Sequence, residues 1–442
     1  MARGKKKEEL TLEEKLERAL VPVEEQPYEV PENWCFFRFT SLIDIEGGTQ
    51  PPKSQFVEEP MDGYVRLVQI RDFASDKYVV YVPDTKNLRK FNKDDVMIAR
   101  YGASIGRICT GLEGAYNVAL AKTIFSREVL NRDYVYWMLQ SETFQYPLRT
   151  ISRSAQAGFN KKDLSNFLLP LPPLAVQKRI VDRIESLFAK LDEAKEKVTE
   201  VVESYLVRRA TILDFAFSGK LTSKWRTQNN IDNNWSEKTF SEVAVIKSNL
   251  VKPGEYQDFP HIAPDNIEKR TGVLLQYNTI AEDKVTSGKH RFYKGQILYS
   301  KIRPYLSKVV MVDFDGLCSA DMYPIEAKEN TRYLWYYMLS DNFLEQASSA
   351  GSRSVLPKIN QKELSRLLVN TPDIDEQKEV VKILDRLLPY EQKVAENAQV
   401  VLEQIDVIKK SILFKAFRGE LGTNNPEEES AIKLLKKILV ET

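Results

Sequence analysis

Two stretches of the chain carry several cations and no acid. "PLRTISRSAQAGFNKK" (147–162) holds Arg149, Arg153, Lys161 and Lys162, and "YKGQILYSKIRPYLSK" (293–308) holds Lys294, Lys301, Arg303 and Lys308 among three tyrosines. Arg, Lys, Ser, Gln and Asn side chains in loops of this kind contact phosphates and read base edges. The two glycines of "RYGASIGR" (100–107) let backbone approach a phosphate closely. These stretches single out Arg100, Ser104, Arg107, Arg153, Ser154, Gln156 and Lys161 in the first half of the chain. In the second half, loop composition over these stretches and over 352–358 singles out Lys301, Arg303, Tyr305, Lys308, Arg353, Ser354 and Lys358. Net charge is only +1, so any nucleic-acid footprint is local. The bland alternative for each loop is a solvated basic surface.

Other chemistries find no motif. There is no GxxxxGK[ST] phosphate loop and no Asn-Pro-Pro-Tyr or Asp-Pro-Pro-Tyr stretch for handling a flipped adenine. Two histidines, His261 and His290, allow no histidine-based metal cluster or triad, so neither catalytic nor metal-binding residues are assigned. Cys35, Cys109 and Cys318 are scattered, which argues against disulfides and zinc. No stretch reaches the roughly 20 apolar residues of a membrane span, and the basic N-terminus lacks an apolar segment behind it. The expectation is a cytoplasmic protein with no membrane contact.

What must position these loops is a duplication. "PPLAVQKRIVDRIESLF" (172–188) returns 200 residues later as "PDIDEQKEVVKILDRLL" (372–388). Trp34 matches Trp235, "DVMIAR" (95–100) matches "QILYSK" (296–301), "SRSAQAGFNKKDL" (152–164) matches "SRSVLPKINQKEL" (352–364), and "FSGKL" matches "FRGEL". Each copy starts with short β-rich runs and small helical pieces, an α+β globule. Each ends in a long helix, with a seam through Ile180, Ile184, Leu187, Leu191 and Val198 in one copy. The other seam runs through Val380, Leu384, Leu387, Val394, Val401 and Ile405. Their 4-3 spacing reads as a coiled coil, and the simplest partner for each seam is the other, antiparallel and pseudo-two-fold. Asp373 with Glu376 reads as a capping box, as do Asn160 with Asp163 and Asn360 with Glu363. Gly219 and Gly419 are placed to end the two helices.

"LPLPPLAVQKRIVDRI", the second Gln-Lys-x-Val-Val phrase, "AFSGKL/AFRGEL" and "ALVPVEEQPYEVPENW" resemble the specificity subunit of type I restriction–modification enzymes, over nearly the whole chain. The resemblance implies an α+β chain with two target recognition domains joined by two long antiparallel coiled-coil helices in circular, pseudo-two-fold repeat. The expected parts are an N-terminal arm (1–33) packing with a C-terminal tail (421–442), recognition domains at 34–170 and 235–370, long helices at 171–220 and 371–420, and a connector at 221–234. It implies double-stranded DNA with a bipartite site as ligand and helices that set the spacer. It also implies two methyltransferase subunits docked on the helices, with restriction subunits joining through the methyltransferase core. The chain itself would be non-catalytic and bind no cofactor; S-adenosylmethionine, ATP and Mg belong to the partners. The competing reading is a two-headed coiled-coil scaffold for proteins, without DNA binding.

Overall fold

A computed structural model of the chain describes residues 11–151, 158–350 and 357–441. The chain forms two units. Unit 1 comprises Met1–Lys197 with Leu402–Thr442, and unit 2 comprises Val198–Val401. No described helix is long and apolar enough to cross a membrane.

Unit 1 carries two four-stranded sheets. One runs in the order Asp44–Gly47, Leu120–Ile124, Met97–Ala99, Ile108–Cys109 and is antiparallel throughout. Met97, Ile98 and Ala99 are all buried, as expected of a strand covered on both faces. The other runs Tyr81–Pro83, Tyr64–Val68, Gly114–Tyr116, Lys90–Phe91, and its central pair is parallel. A separate short ladder pairs Cys35–Arg38 with Leu168–Leu171. Two helices lie between these strands in the chain, Arg132–Gln140, whose first turn is capped by Asn131, and Glu142–Ile151.

Unit 2 repeats this plan. Ala244–Ile246, Met322–Ala327, Ile297–Ser300 and Val309–Met311 form the antiparallel sheet. The second sheet has five strands and again one parallel pair, Pro260–Ile262 with Gly316–Cys318. Ser236–Thr239 pairs with Leu368–Thr371, and helices Thr331–Met338 and Asp341–Ala350 complete the match. In each unit a larger core gathers the helices and a smaller one lies under the sheets.

The glutamine of the repeated phrase has a physical reason. Gln177 is fully buried; its amide donates to Val129 O at 2.8 Å and Pro172 O at 3.0 Å, and its oxygen accepts from Asn131 N at 2.8 Å. Gln377 is buried too and donates to Pro372 O at 3.0 Å and Glu329 Oε2 at 2.6 Å. Each ties the start of a long helix to the chain that leads into it.

The long helices depart from their sequence reading in three ways. The first is not continuous: it runs Leu174–Glu203, stops at Ser204 and resumes over Tyr205–Phe217. Ser204 Oγ donates to Glu200 O, a back-bond that competes with the helical ladder, and Arg208 Nη1 donates to Val201 O at 3.1 Å. The second helix, Ile374–Ala416, is unbroken through Pro389. Its buried line passes through Val380, Ala398 and Ala416, eighteen residues apart, which is five turns of a straight helix. Val401 is therefore a correction. At 39% exposure it lies off the seam, because a heptad reading drifts about 20° per heptad on a straight helix, hence by about 60° from Val380. Ile180, Ile184, Val380, Leu384 and Ile405 are buried, while Leu187, Leu191, Val198, Leu387 and Val394 are half-buried. Finally, Glu376 does not serve a capping box with Asp373. Its Oε1 accepts from Thr222 Oγ1 at 2.5 Å, from Trp235 Nε1 at 2.9 Å and from Arg226.

Within each unit the helical segments pair antiparallel. In unit 1, Arg179 forms a two-pronged pair with Glu428 at 2.8 Å, and Lys195 meets Asp406 at 3.2 Å. Lys409 pairs with Asp192 and lies over the Phe188 ring. In unit 2, Arg208 meets Glu391 at 2.7 Å. Gly219 and Gly419 both end their helices in left-handed backbone, at φ +73° and +77°. The helices Leu12–Ala19 and Ala431–Glu441 pack together in unit 1, where Asn33 donates to Asn425 O at 2.9 Å and Trp34 to Asn424.

Candidate nucleic-acid interface

Each unit carries a matching turn between two adjacent antiparallel strands, at 100–107 in unit 1 and inside the acid-free stretch 293–308 in unit 2. In unit 1, Ala99 N donates to Arg107 O at 2.9 Å and Gly106 N to Ala99 O at 2.8 Å, closing a loop around the short turn Gly102–Ser104. In unit 2, Ser300 N donates to Lys308 O at 3.0 Å, closing a loop around Pro304–Leu306. The two turns superpose in sequence at an offset of 201. Gly102 and Gly106 have φ of +70° and +82°; at the matching positions Arg303 and Ser307 have +48° and +45°. Left-handed backbone costs a residue with a side chain roughly 1–2 kcal/mol. At Gly106 a Cβ would also lie 2.8 Å from Leu148 Cδ2 and Gln145 Oε1. Ser307 occupies its site by burying its hydroxyl 3.5 Å from Met338 O. At Gly102 a Cβ would meet nothing within 4 Å.

Most cations singled out from the sequence work inside their own head. Arg100 donates through Nε and Nη2 to Phe159 O, at 3.2 and 3.1 Å, and lies over the Tyr101 ring. Lys161 pairs with Asp44 at 2.7 Å. Lys301 donates to Ala320 O at 2.7 Å, Lys308 to Pro264 O at 2.6 Å, and Lys358 pairs with Asp321 at 3.3 Å. These contacts fix the loop's shape. Four side chains stay uncommitted among the described residues: Ser104 and exposed Arg107 in unit 1, exposed Arg303 and Tyr305 in unit 2. Ser104 and Tyr305 occupy the same position of the turn.

Each turn also abuts a later segment of its own head, at Phe159 in unit 1 and at Pro357 and Ile359 in unit 2. Ile359 N donates to Lys301 O at 2.9 Å and Arg303 N to Pro357 O at 2.8 Å; in unit 1 the Arg100–Phe159 contact does the same work. The capping boxes Asn160–Asp163 and Asn360–Glu363 both form and anchor that segment. Arg153, Ser154, Gln156, Arg353 and Ser354 lie outside the described residues. The sequence reading missed Arg291, which lies over the rings of Tyr256, Phe259 and Tyr293 at 5.4, 5.9 and 4.9 Å. Its signal was present, an arginine two residues before the second acid-free stretch's tyrosine.

Among the described residues no group of three His, Cys, Asp or Glu could hold a metal ion. Burial pushes the Cys35 thiol up to about 12 and Cys109 up to about 11, so neither is a thiolate at neutral pH. A groove of unit 1, about 460 Å³, is lined by Tyr28, Tyr146, Phe414 and Arg418; its one acid, Glu142, pairs with Arg149. Arg418 lies between the rings of Tyr28 and Phe414, at 4.2 and 4.3 Å. What the two turns offer is polar and cationic side chains without internal partners among the described residues.

In comparison with known proteins, the type I restriction modification DNA specificity domain matches twice, at residues 31–204 and 233–402. The type I restriction enzyme EcoDI specificity subunit of Escherichia coli is 36% identical over 79% of this chain and 85% of that protein. The EcoKI specificity subunit of Escherichia coli K12 is 23% identical over 93% of this chain and 96% of its own length. Among solved structures, the HsdS subunit from Thermoanaerobacter tengcongensis has a TM-score of 0.61 at 18% identity, covering 90% of this chain and all of its own. A chain from a structure described as "complex assembly and conformational transition of the type I R-M system" has a TM-score of 0.67 at 16% identity, covering 89% and 100%. At such identities these two likenesses concern the fold.

Proposed function

This chain belongs to the type I restriction–modification DNA specificity family, and we propose that its two heads, residues 34–170 and 235–370, each read one half of a bipartite site on double-stranded DNA. The observation that carries the reading is the turn built twice, each time with uncommitted polar side chains on a scaffold stiffened by the neighbouring cations. Ser104 and Arg107 in the first head, and Arg303 and Tyr305 in the second, are the residues we assign to DNA contact. Arg100, Lys161, Lys301, Lys308 and Lys358 shape the loops and add positive potential. Arg153, Ser154, Gln156, Arg353 and Ser354 are assigned to the same role by their sequence context alone.

The long helices fix the spacer between half-sites and dock two methyltransferase subunits, through which restriction subunits join. S-adenosylmethionine, ATP and Mg act in those partners, and this non-catalytic chain guides the complex to its site. Swapping residues 34–170 for another head of the family tests the modular reading by methylation mapping. One half-site changes and the other stays; a change in both sinks it. Inserting four residues into both long helices adds about 6 Å to each, near two base pairs at roughly 3.4 Å each. An unchanged spacer would count against the helices as a ruler. Binding over a salt series separates DNA contact from a purely protein scaffold, because phosphate contacts make affinity fall steeply with salt.

A further inference from the structure

The two heads build one turn from different residues, and the difference points to a ligand. At position 102 the fold asks only for left-handed backbone, since an added Cβ would meet nothing within 4 Å, and glycine meets that demand without strain. At position 303 the same backbone carries an arginine. Ser307, the other strained residue of that turn, has an internal reason, its buried hydroxyl near Met338 O. Lys308 likewise has Pro264 O. Arg303 has none: its side chain is exposed and makes no hydrogen bond or ion pair with the described residues. Strain held at a residue whose side chain gives nothing back to the described part of the fold points to use of that side chain on something else.

We propose that Arg303 is a specificity-determining residue of the second head, a proposal that rests on the DNA-reading function given above. Its guanidinium donates two parallel hydrogen bonds to one base edge in the major groove, the O6 and N7 of a guanine being the acceptor pair that fits the fork. Pro304 fixes the next φ, and the anchored Lys301 and Lys308 hold both ends of the turn, so little is left to order when the arginine docks. Tyr305, 46% exposed two residues on, flanks it.

The test uses the full chain assembled with its methyltransferase subunits and a pool of randomised DNA duplexes, sequenced after binding, with Tm measured on the same preparations. The wild-type complex enriches two half-sites. Arg303→Gly removes the strain, so Tm holds or rises. The preference at one base pair of the second head's half-site disappears, the other half-site is unchanged, and affinity for the enriched target falls about 10- to 100-fold. Arg303→Lys keeps the backbone strain and the charge; it retains salt-dependent affinity while that base preference relaxes. Intact preference in Arg303→Gly overturns the proposal. So does a lowered Tm, or a loss of affinity uniform over all sequences. If the wild-type complex enriches no sequence at all, the DNA-reading function itself fails, and this proposal with it.

Discussion

Trp34 donates its indole N–H to Asn424 Oδ1 at 2.8 Å, joining side chains 390 residues apart. Around it, Tyr28 donates to Phe417 O at 3.1 Å and Ala431 N to Asn33 O at 2.9 Å, so both ends of the chain complete unit 1. Asn424→Ala leaves the indole N–H of buried Trp34 unpaired and is expected to cost at least about 1 kcal/mol. In a unit of this size that is a Tm lower by about 2–4 °C. Calorimetry of the full chain measures it, and a Tm within error of wild type would show the contact to be idle.

The buried amide of Gln177 satisfies three backbone groups at once. Gln177→Ala strands them without water and is expected to cost roughly 2–3 kcal/mol. Its exposed neighbour Lys178, mutated to Ala, should stay within about 0.5 kcal/mol. Urea unfolding of both variants compares them directly.

Glu376, 3% exposed, gathers Thr222, Arg226 and Trp235 in unit 2, whereas Val176 stands at the matching position of unit 1. Copying the valine across should therefore fail. Glu376→Val leaves the Arg226 guanidinium sheltered and unpaired, at an expected cost of about 3–5 kcal/mol. Adding Arg226→Leu should recover part of that loss, and a double variant no better than the single would remove the pair from the explanation.

Arg179 holds the Glu428 carboxyl below its ordinary range through a two-pronged hydrogen bond. A depressed carboxylate stabilises the fold above its unfolded pKa of about 4.3 and loses that contribution as pH falls through the folded value. Unit 1 of the wild type should thus lose stability below about pH 4 more steeply than Glu428→Gln. The two should differ most at neutral pH. Parallel pH–Tm curves would show that the pair contributes nothing.

Placement on the second long helix makes a sharp pair of variants. Ile405→Ala, at a buried position, should cost about 2–4 kcal/mol. Val401→Ala, one turn earlier and exposed, should cost less than about 0.5 kcal/mol. Equal costs would restore the heptad seam that the sequence suggests.

The duplication, the α+β heads and the long helices were legible because they rest on patterns that recur, and a recurrence 200 residues away is its own confirmation. Val401 was misread because periods of about 3.5 and 3.6 agree over one or two turns and part company over six. The stop at Ser204 depends on a hydroxyl choosing Glu200 O, a choice that many mid-helix serines do not make. Glu376 has the spacing of a capping residue, and only the approach of Thr222 and Trp235 turns it inward. In the loops, residue type announced cations but could not say which were already occupied. Arg100 and Arg107 look alike in sequence, yet one is tied to Phe159 O and the other is exposed. The strain at Arg303 was readable in principle, by laying Gly102 and Gly106 over Arg303 and Ser307 in the repeat.

The division of the chain sets an order of birth. Unit 2 is a single stretch, Val198–Val401, but unit 1 is assembled from two pieces, one before residue 198 and one after residue 401. On a ribosome adding about 5–20 residues per second, the earlier piece of unit 1 emerges first and then waits about 10–40 s for the helix segment that covers it. Leu413, Ala416 and Phe417 are core residues of that unit, so its apolar surface stays open through the whole synthesis of unit 2. The half of the protein that begins first is completed last, and a chain cut short just past residue 401 would carry one finished head and one that a chaperone still has to hold.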